Sequence, residues 1–266
     1  MKVALLGTCR VSFIRKHYSC TDFDDAISFV HSTKEILQLL RFITKQVKIP
    51  DPVNRVCFRT SIINRRPVEY SDKFLEQFDE ADLFVIEISS MTKYLYQGYY
   101  LHHLAVDKRF HFYLESPTPV LRDTKVEYQQ AEEISNDIDE IVRFVQPRKV
   151  LIVSHINAAI NGDASERLGP LRCFFSFRSS IPQRQITGPK PVVLERRSEL
   201  IQLLRTITRE KEIPFFDPSV ILKNYRQKRI IQKEEPGLPP SHYTEFGGKI
   251  VGRLYAAEIK KIMGNS

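Results

Sequence analysis

Two short stretches of this 266-residue chain carry residue types that can make and break bonds. Gly7-Thr8-Cys9-Arg10 follows directly on the apolar run Val3-Ala4-Leu5-Leu6. A nucleophile on the sharp turn after a strand is presented at the top of a sheet, where donors from the next helix can stabilise an oxyanion. Cysteine reacts as its thiolate, and a helix N-terminus or a nearby guanidinium lowers a thiol pKa. Cys9 is therefore the candidate nucleophile, with Arg10 as its activating or anion-holding neighbour. The competing reading of Cys9 is a small apolar side chain closing a tight turn. The second stretch is Ser241-His242-Tyr243-Thr244, just ahead of the last helical segment. From there His242 can reach the strand ends as a general base, or serve only as a helix-capping or surface residue.

Further polar groups fall at the ends of apolar runs. Ser89 and Ser90 follow Asp82-Leu83-Phe84-Val85-Ile86-Glu87-Ile88, and their hydroxyls are candidate oxyanion donors. His155 and Asn157 follow Lys149-Val150-Leu151-Ile152-Val153, and either could contact a substrate hydroxyl. Arg172, Arg178 and Arg184 are interleaved with Phe174, Phe175 and Phe177. Arginine and phenylalanine together can hold a phosphate and stack a base or a sugar, or simply pack a loop on the domain. His102, His103 and His111 are adjacent or close in sequence, and neighbours on one element do not readily face one ion, so no metal site is expected. The chain contains no phosphate-binding G-x-x-x-x-G-K-[ST], no dinucleotide G-x-G-x-x-G after its first strand, and no C-x-x-C.

The elements that must position these residues are legible as alternating runs. Strands are expected at 2–6, 26–31, 55–59, 82–88, 149–153 and 213–216. Helices are expected after Ser32 or Thr33 and at 71–80, 125–145, 196–210 and 244–263. The first helix has Ile36, Leu39, Leu40, Ile43 and Val47 on one face. Two long inserts, at about 89–124 and 154–190, have no clean period, and 223–240 reads as a linker or lid. Alternating strands and helices are the pattern of a parallel sheet covered on both faces. The expected fold is thus a single α/β domain spanning 1–266, a three-layer sandwich with a mostly parallel sheet. In such sheets ligands bind outside the carboxyl ends of the strands, where the loops after positions 6, 88, 153 and 216 converge.

Composition narrows the partners without choosing one. Apolar residues make up 42% and charged residues 27%, which suits a chain that buries its own core. Lys and Arg number 40 against 32 Asp and Glu, and the resulting +8 points to an anionic partner or to an evenly solvated basic surface. The four cysteines, Cys9, Cys20, Cys57 and Cys173, read as reduced thiols, so a cytoplasmic protein is expected. The apolar run ending before Cys9 is too short for a signal segment, and no run has the length of a membrane span. No established nucleic-acid module is present.

With Gly7-Thr8-Cys9 after the first strand and Pro239-Pro240-Ser241-His242 before the last helix, the chain resembles the SGNH/GDSL hydrolase superfamily. That family has Gly-Asp-Ser in its first block and Asp-x-x-His in its last. The resemblance implies an SGNH/flavodoxin-like fold, Cys9 in the place of the serine, and His242 as the base. Position 239 is proline where the family has aspartate, and no Gly-x-Asn follows 82–88. The G-x-C turn is also similar to capsule-biosynthesis proteins of the WcbI type. The function the resemblance implies is an enzyme of glycan or polysaccharide metabolism acting on an ester or activated sugar, with a glycan or other anionic small molecule as substrate and no cofactor. Two alternatives stay open. One is a glycosyltransferase or acyltransferase taking a nucleotide-sugar or acyl-CoA donor, with His242 or Glu87 as base. The other is a non-catalytic protein that binds glycan or nucleic acid on an enzyme-like scaffold.

Overall fold

The structure is a computed structural model that describes residues 1–21, 23, 27–107, 120, 122–156, 197–222, 224, 225, 227–232 and 242–264. Its strands among these residues are β1 (Lys2–Leu6), β2 (Ser19–Thr21), β3 (Leu83–Ile88), β4 (Thr92–Tyr96), β5 (Tyr99–Tyr100), β6 (Lys125–Tyr128), β7 (Lys149–Ser154) and β8 (Phe215–Phe216). The α-helices are α1 (Thr33–Ile43), α2 (Asp51–Cys57), α3 (Arg59–Asn64), α4 (Asp72–Asp79), α5 (Ala131–Val145), α6 (Arg197–Glu210), α7 (Ser219–Leu222), α8 (Gln227–Ile230) and α9 (Glu245–Gly264). Two 3-10 helices, Cys9–Lys16 and His103–Val106, complete the set.

Five strands form a parallel sheet in the order β2-β1-β3-β7-β8. Every residue of β3 is buried, as are the last four of β1, which is why these strands read as unbroken apolar runs. Side chains alternate between the two faces. Ala4, Leu6, Phe84 and Ile86 pack with Ile36, Leu39 and Leu40 of α1, Ile134 and Ile138 of α5, and Leu200 and Leu204 of α6. Val3, Leu5, Val85, Leu151 and Val153 pack with Ile14 of the 3-10 helix and with Val251, Tyr255 and Ile259 of α9. The architecture is therefore helix, sheet, helix, as the alternating pattern implied. The strand order reverses between β1 and β3, and the crevice of a doubly wound sheet opens outside the carboxyl ends of such a pair.

The packing of α9 fixes the 3-10 helix that carries Cys9. A Cβ on Gly248 would lie 2.1 Å from the Phe13 ring, and one on Gly252 would lie 2.8 Å from the Phe13 carbonyl oxygen. These glycines, one helical turn apart, let the two helices approach more closely than any side chain allows.

Three segments differ from the sequence reading. Residues 27–31 form no strand; the second strand is β2 instead. The carbonyl of Ser28 accepts the Gly7 amide, and that of His31 accepts the amides of Ser89 and Ser90, so this segment crosses over the ends of β1 and β3 rather than joining the sheet. Residues 55–59 are helical, with α2 and α3 separated by an extended Phe58. Asn54 fastens α2 by bonds from Nδ2 to the Val68 carbonyl and to Oδ1 from the Val68 amide. The 125–145 segment divides into β6 and α5, because β6 pairs antiparallel with β4, which also pairs with β5. The stretch after β3 thus contains a small second sheet where the sequence showed no period.

Candidate functional site

The site begins with an enforced turn. Gly7 has φ of +142°, a conformation that L side chains rarely adopt, and a Cβ there would lie 2.6 Å from Glu87 Cβ. The register that pairs Leu6 with Ile86 brings the chain past Glu87 at this point. Glu87, the lone carboxylate of β3, is fully buried and collects three donors from the turn. The Thr8 amide donates to Oε2 at 3.0 Å, the Thr8 hydroxyl donates to the same oxygen, and Arg10 Nε donates to Oε1 at 2.8 Å. Thr8 Oγ1 also accepts the Arg10 amide and so caps the 3-10 helix. Charge-assisted bonds of this kind are the stronger ones, and here they tie the Cys9 turn to the centre of the sheet.

This arrangement sets the charge around Cys9. Arg10 and Glu87 side chains are 7% and 1% exposed. Burial works against the Arg10 charge, but Glu87 more than offsets it, and the Arg10 pKa rises above its ordinary value. The anion that Arg10 holds in this structure is thus Glu87. Glu87 in turn has both oxygens engaged, which suits anchoring better than proton abstraction. Cys9 is half-buried, and burial pushes its thiol pKa up against the lowering effect of Arg10, with Glu87 raising it further and Arg59 lowering it. Cys9 therefore rests as a neutral thiol, and its use as a nucleophile requires a base during attack.

The ends of β3 and β7 carry the next group of buried polar residues. Ser89 is buried, with Oγ 3.0 Å from His31 Nδ1, and Ser90 Oγ accepts the Thr92 amide at 2.9 Å. His155 is buried and donates from Nδ1 to the Ile156 carbonyl at 2.6 Å, which leaves Nε2 as an acceptor. Burial first, then Arg10 and Arg197, holds His155 well below the ordinary imidazole range. Arg197 shares the same carbonyl, and burial followed by Arg10 brings its pKa down to about 10. Asp217, after β8, accepts from the Ser154 hydroxyl at 3.0 Å and from Arg205 at 2.9 Å.

His242 and its neighbour part company. Tyr243 forms an isolated antiparallel bridge with Ile231, and consecutive residues of an extended segment point to opposite sides. Tyr243 is the buried one, within electrostatic reach of Arg10, Glu87, Asp217 and Cys9, and burial pushes its hydroxyl pKa far up. His242 is exposed, and its carbonyl accepts the Gln232 amide. The segment thus comes to the Cys9 surface, with Tyr243 rather than His242 turned inward. Asn157, Arg172, Arg178 and Arg184 lie outside the described residues.

Two features were missed in the sequence. His31, His102 and His103 come together, with ligand-type atoms within 4.8 Å of one another, although His31 is more than 70 positions away. Burial holds His31 and His102 well below the ordinary imidazole range, so both are neutral. These are the described residues best placed to share a metal ion. However, His102 Nδ1 accepts the Leu104 amide at 3.2 Å, which leaves the proton on Nε2, and ligation through Nε2 would require that bond to break. The second feature is a cavity of about 570 Å³ beside the Cys9 turn, between the 3-10 helix and α3. Gly7 and Thr8 form one wall, and Arg15, Arg59, Thr60 and Asn64 contribute others. Arg59 falls in the stretch that reads as a strand, and that is why it was missed.

Residues 1–118 match the family described as the TviD N-terminal domain. Over 96% of its length the chain is 24% identical to the Vi polysaccharide biosynthesis protein TviD of Salmonella typhi, and it spans 31% of that protein's length. Among solved structures it is similar to an inhibitor-bound aryl esterase of M. smegmatis, with a TM-score of 0.41, 11% identity and 98% of each chain covered. No helix of the described residues is long and apolar enough to cross a membrane.

Proposed function

We propose that this chain is an enzyme of polysaccharide biosynthesis that handles an ester through Cys9. The observation that carries the reading is the Cys9 turn itself. It sits where the strand order reverses, is fastened to the buried Glu87, and borders a cavity large enough for a sugar. The name of the Salmonella relative supports the polysaccharide part. In this reading the Cys9 sulfur attacks the acyl carbonyl and forms a thioester, and the leaving group departs with a proton. A sugar hydroxyl or water then attacks the thioester carbonyl and returns the thiol. Because Cys9 rests protonated, a base must take its proton as the bond forms. We assign that role to His242, which is exposed here and would have to turn toward Cys9, since Tyr243 is the residue of the pair that faces inward.

The test is turnover of p-nitrophenyl acetate and acetyl-CoA, with and without a glycan acceptor, and mass spectrometry of the trapped protein. An acetyl group on Cys9 is expected in the wild type. Loss on the order of 10³-fold is expected for Cys9→Ala and a similar loss for His242→Ala, because groups acting as one unit are not additive. Near-wild-type turnover by Cys9→Ala would remove the nucleophile. Transfer to the glycan rather than to water distinguishes a transferase from a hydrolase.

A further inference from the structure

We propose that the cavity between the 3-10 helix and α3 is a subsite for an oxyanion of the substrate, anchored by Arg59. Among the described residues, the lining contains two guanidinium groups, Arg15 and Arg59, and no carboxylate. Ser12, Thr60 and Asn64 add hydroxyl and amide groups that can hydrogen-bond the remainder of a polar ligand. The two arginines beside Cys9 differ in what they have to do. Arg10 is committed to Glu87. Arg59 has no carboxylate partner among the described residues; its guanidinium lies 4.8 Å over the Phe29 ring. Stacking on an aromatic face holds the fork in place while leaving its N–H edges for a ligand. A carboxylate or phosphate accepts two parallel bonds from such a fork.

Position gives the subsite its use. Arg59 lies within electrostatic reach of Cys9, and its field favours the thiolate. An anion bound there would sit against Gly7 and Thr8, the residues that precede Cys9 in the turn. The inference deepens the reading above and rests on it for the neighbouring reaction; the binding itself is measured separately. Two sources share this chemistry: the carboxylate of an acidic sugar, and a phosphate of a nucleotide-bearing acyl donor.

Calorimetric titrations of the full 266-residue chain with glucuronate, glucose and adenosine 3′,5′-bisphosphate test the proposal. One of the two anions is expected to bind while glucose does not, and whichever binds identifies the source. Arg59→Met can keep an apolar contact with Phe29 while removing the charge and its N–H donors. It is expected to weaken anion binding about tenfold or more, the amount a charge-assisted hydrogen bond contributes. Arg59→Lys, with circular dichroism to confirm the fold, is expected to bind with intermediate affinity because it retains the charge without the fork. Cys9→Ala is expected to bind as the wild type does. Unaltered anion binding by Arg59→Met, equal binding of glucose, or binding of none of the three compounds would overturn the subsite. Anion binding that depends on Arg59 in a protein that never acylates Cys9 would overturn the ester reading and leave the subsite standing.

Discussion

Glu87→Gln changes one charge and almost nothing of the side chain's shape. In the wild type the Glu87 carboxylate receives Arg10 Nε on one oxygen and the Thr8 amide and hydroxyl on the other. Glutamine offers a single acceptor, so Arg10 and Thr8 can no longer both be served, and its amide group faces a donor. Arg10 is then a buried guanidinium that has lost its Glu87 counter-charge. Both side chains are below a tenth exposed, so solvent screening gives little relief. Removing one partner of a buried ion pair costs about 3–5 kcal/mol, against total stabilities of ~5–15 kcal/mol. The variant should therefore unfold at a markedly lower urea concentration. Adding Arg10→Met removes the stranded charge, so the double variant should recover part of the loss. Urea unfolding curves of the wild type, both single variants and the double variant measure this coupling. A loss under about 1 kcal/mol for Glu87→Gln, or strict additivity in the double variant, would refute the idea that the Arg10–Glu87 pair anchors the turn.

Two further outcomes follow from the same region. Gly7→Ala puts a Cβ 2.6 Å from Glu87 Cβ on a residue at φ +142°, so it should lower the melting temperature and reduce Cys9 acylation together; an unchanged melting temperature would contradict the geometry. Glu35, in the first turn of α1, is buried, and burial raises its pKa to about 8 despite hydrogen bonds from Ser32 and the His31 backbone. Its folded pKa lies above its unfolded value near 4.5, so the native state holds the extra proton between them. That contribution is complete below the unfolded value and is lost as pH rises through about 8, at ~1.4 kcal/mol per pH unit within the window. Glu35→Gln should flatten the fall in stability between pH 6 and 8.5, and an identical pH slope in urea unfolding would rule out the buried acid.

The strands legible in the sequence are those whose environment is apolar on both sides. β1, β3 and β7 announce themselves as continuous apolar runs because they lie between the two helical layers. The helices α1, α5 and α6 show their buried faces at three- and four-residue steps. What was not legible depends on partners distant in the chain. The run Ala26-Ile27-Ser28-Phe29-Val30-His31 has the composition of a strand. Yet the carbonyls of Ser28 and His31 are taken by amides of the turns after β1 and β3, which composition does not encode. β4 and β6 contain half-exposed Tyr, Lys and Glu residues whose alternation is too shallow to separate them from a loop.

The same distinction explains the site. The Cys9 turn was legible because its geometry is local: a strand, a glycine, a nucleophile. Its electrostatics were not, because Arg10 and Glu87 meet only through the register of β1 on β3. One signal was available. A single carboxylate within an otherwise apolar strand must find donors to be buried, and Arg10 follows the neighbouring strand. Arg10, paired with Glu87, still lowers the Cys9 thiol pKa as the sequence suggested, against the larger effect of burial. Arg59 lines the cavity beside the turn because it opens α3, where the sequence suggested an extended segment. The strand reading of 55–59 therefore hid Arg59. The helix that was missed carries one of the two guanidinium groups in the cavity lining.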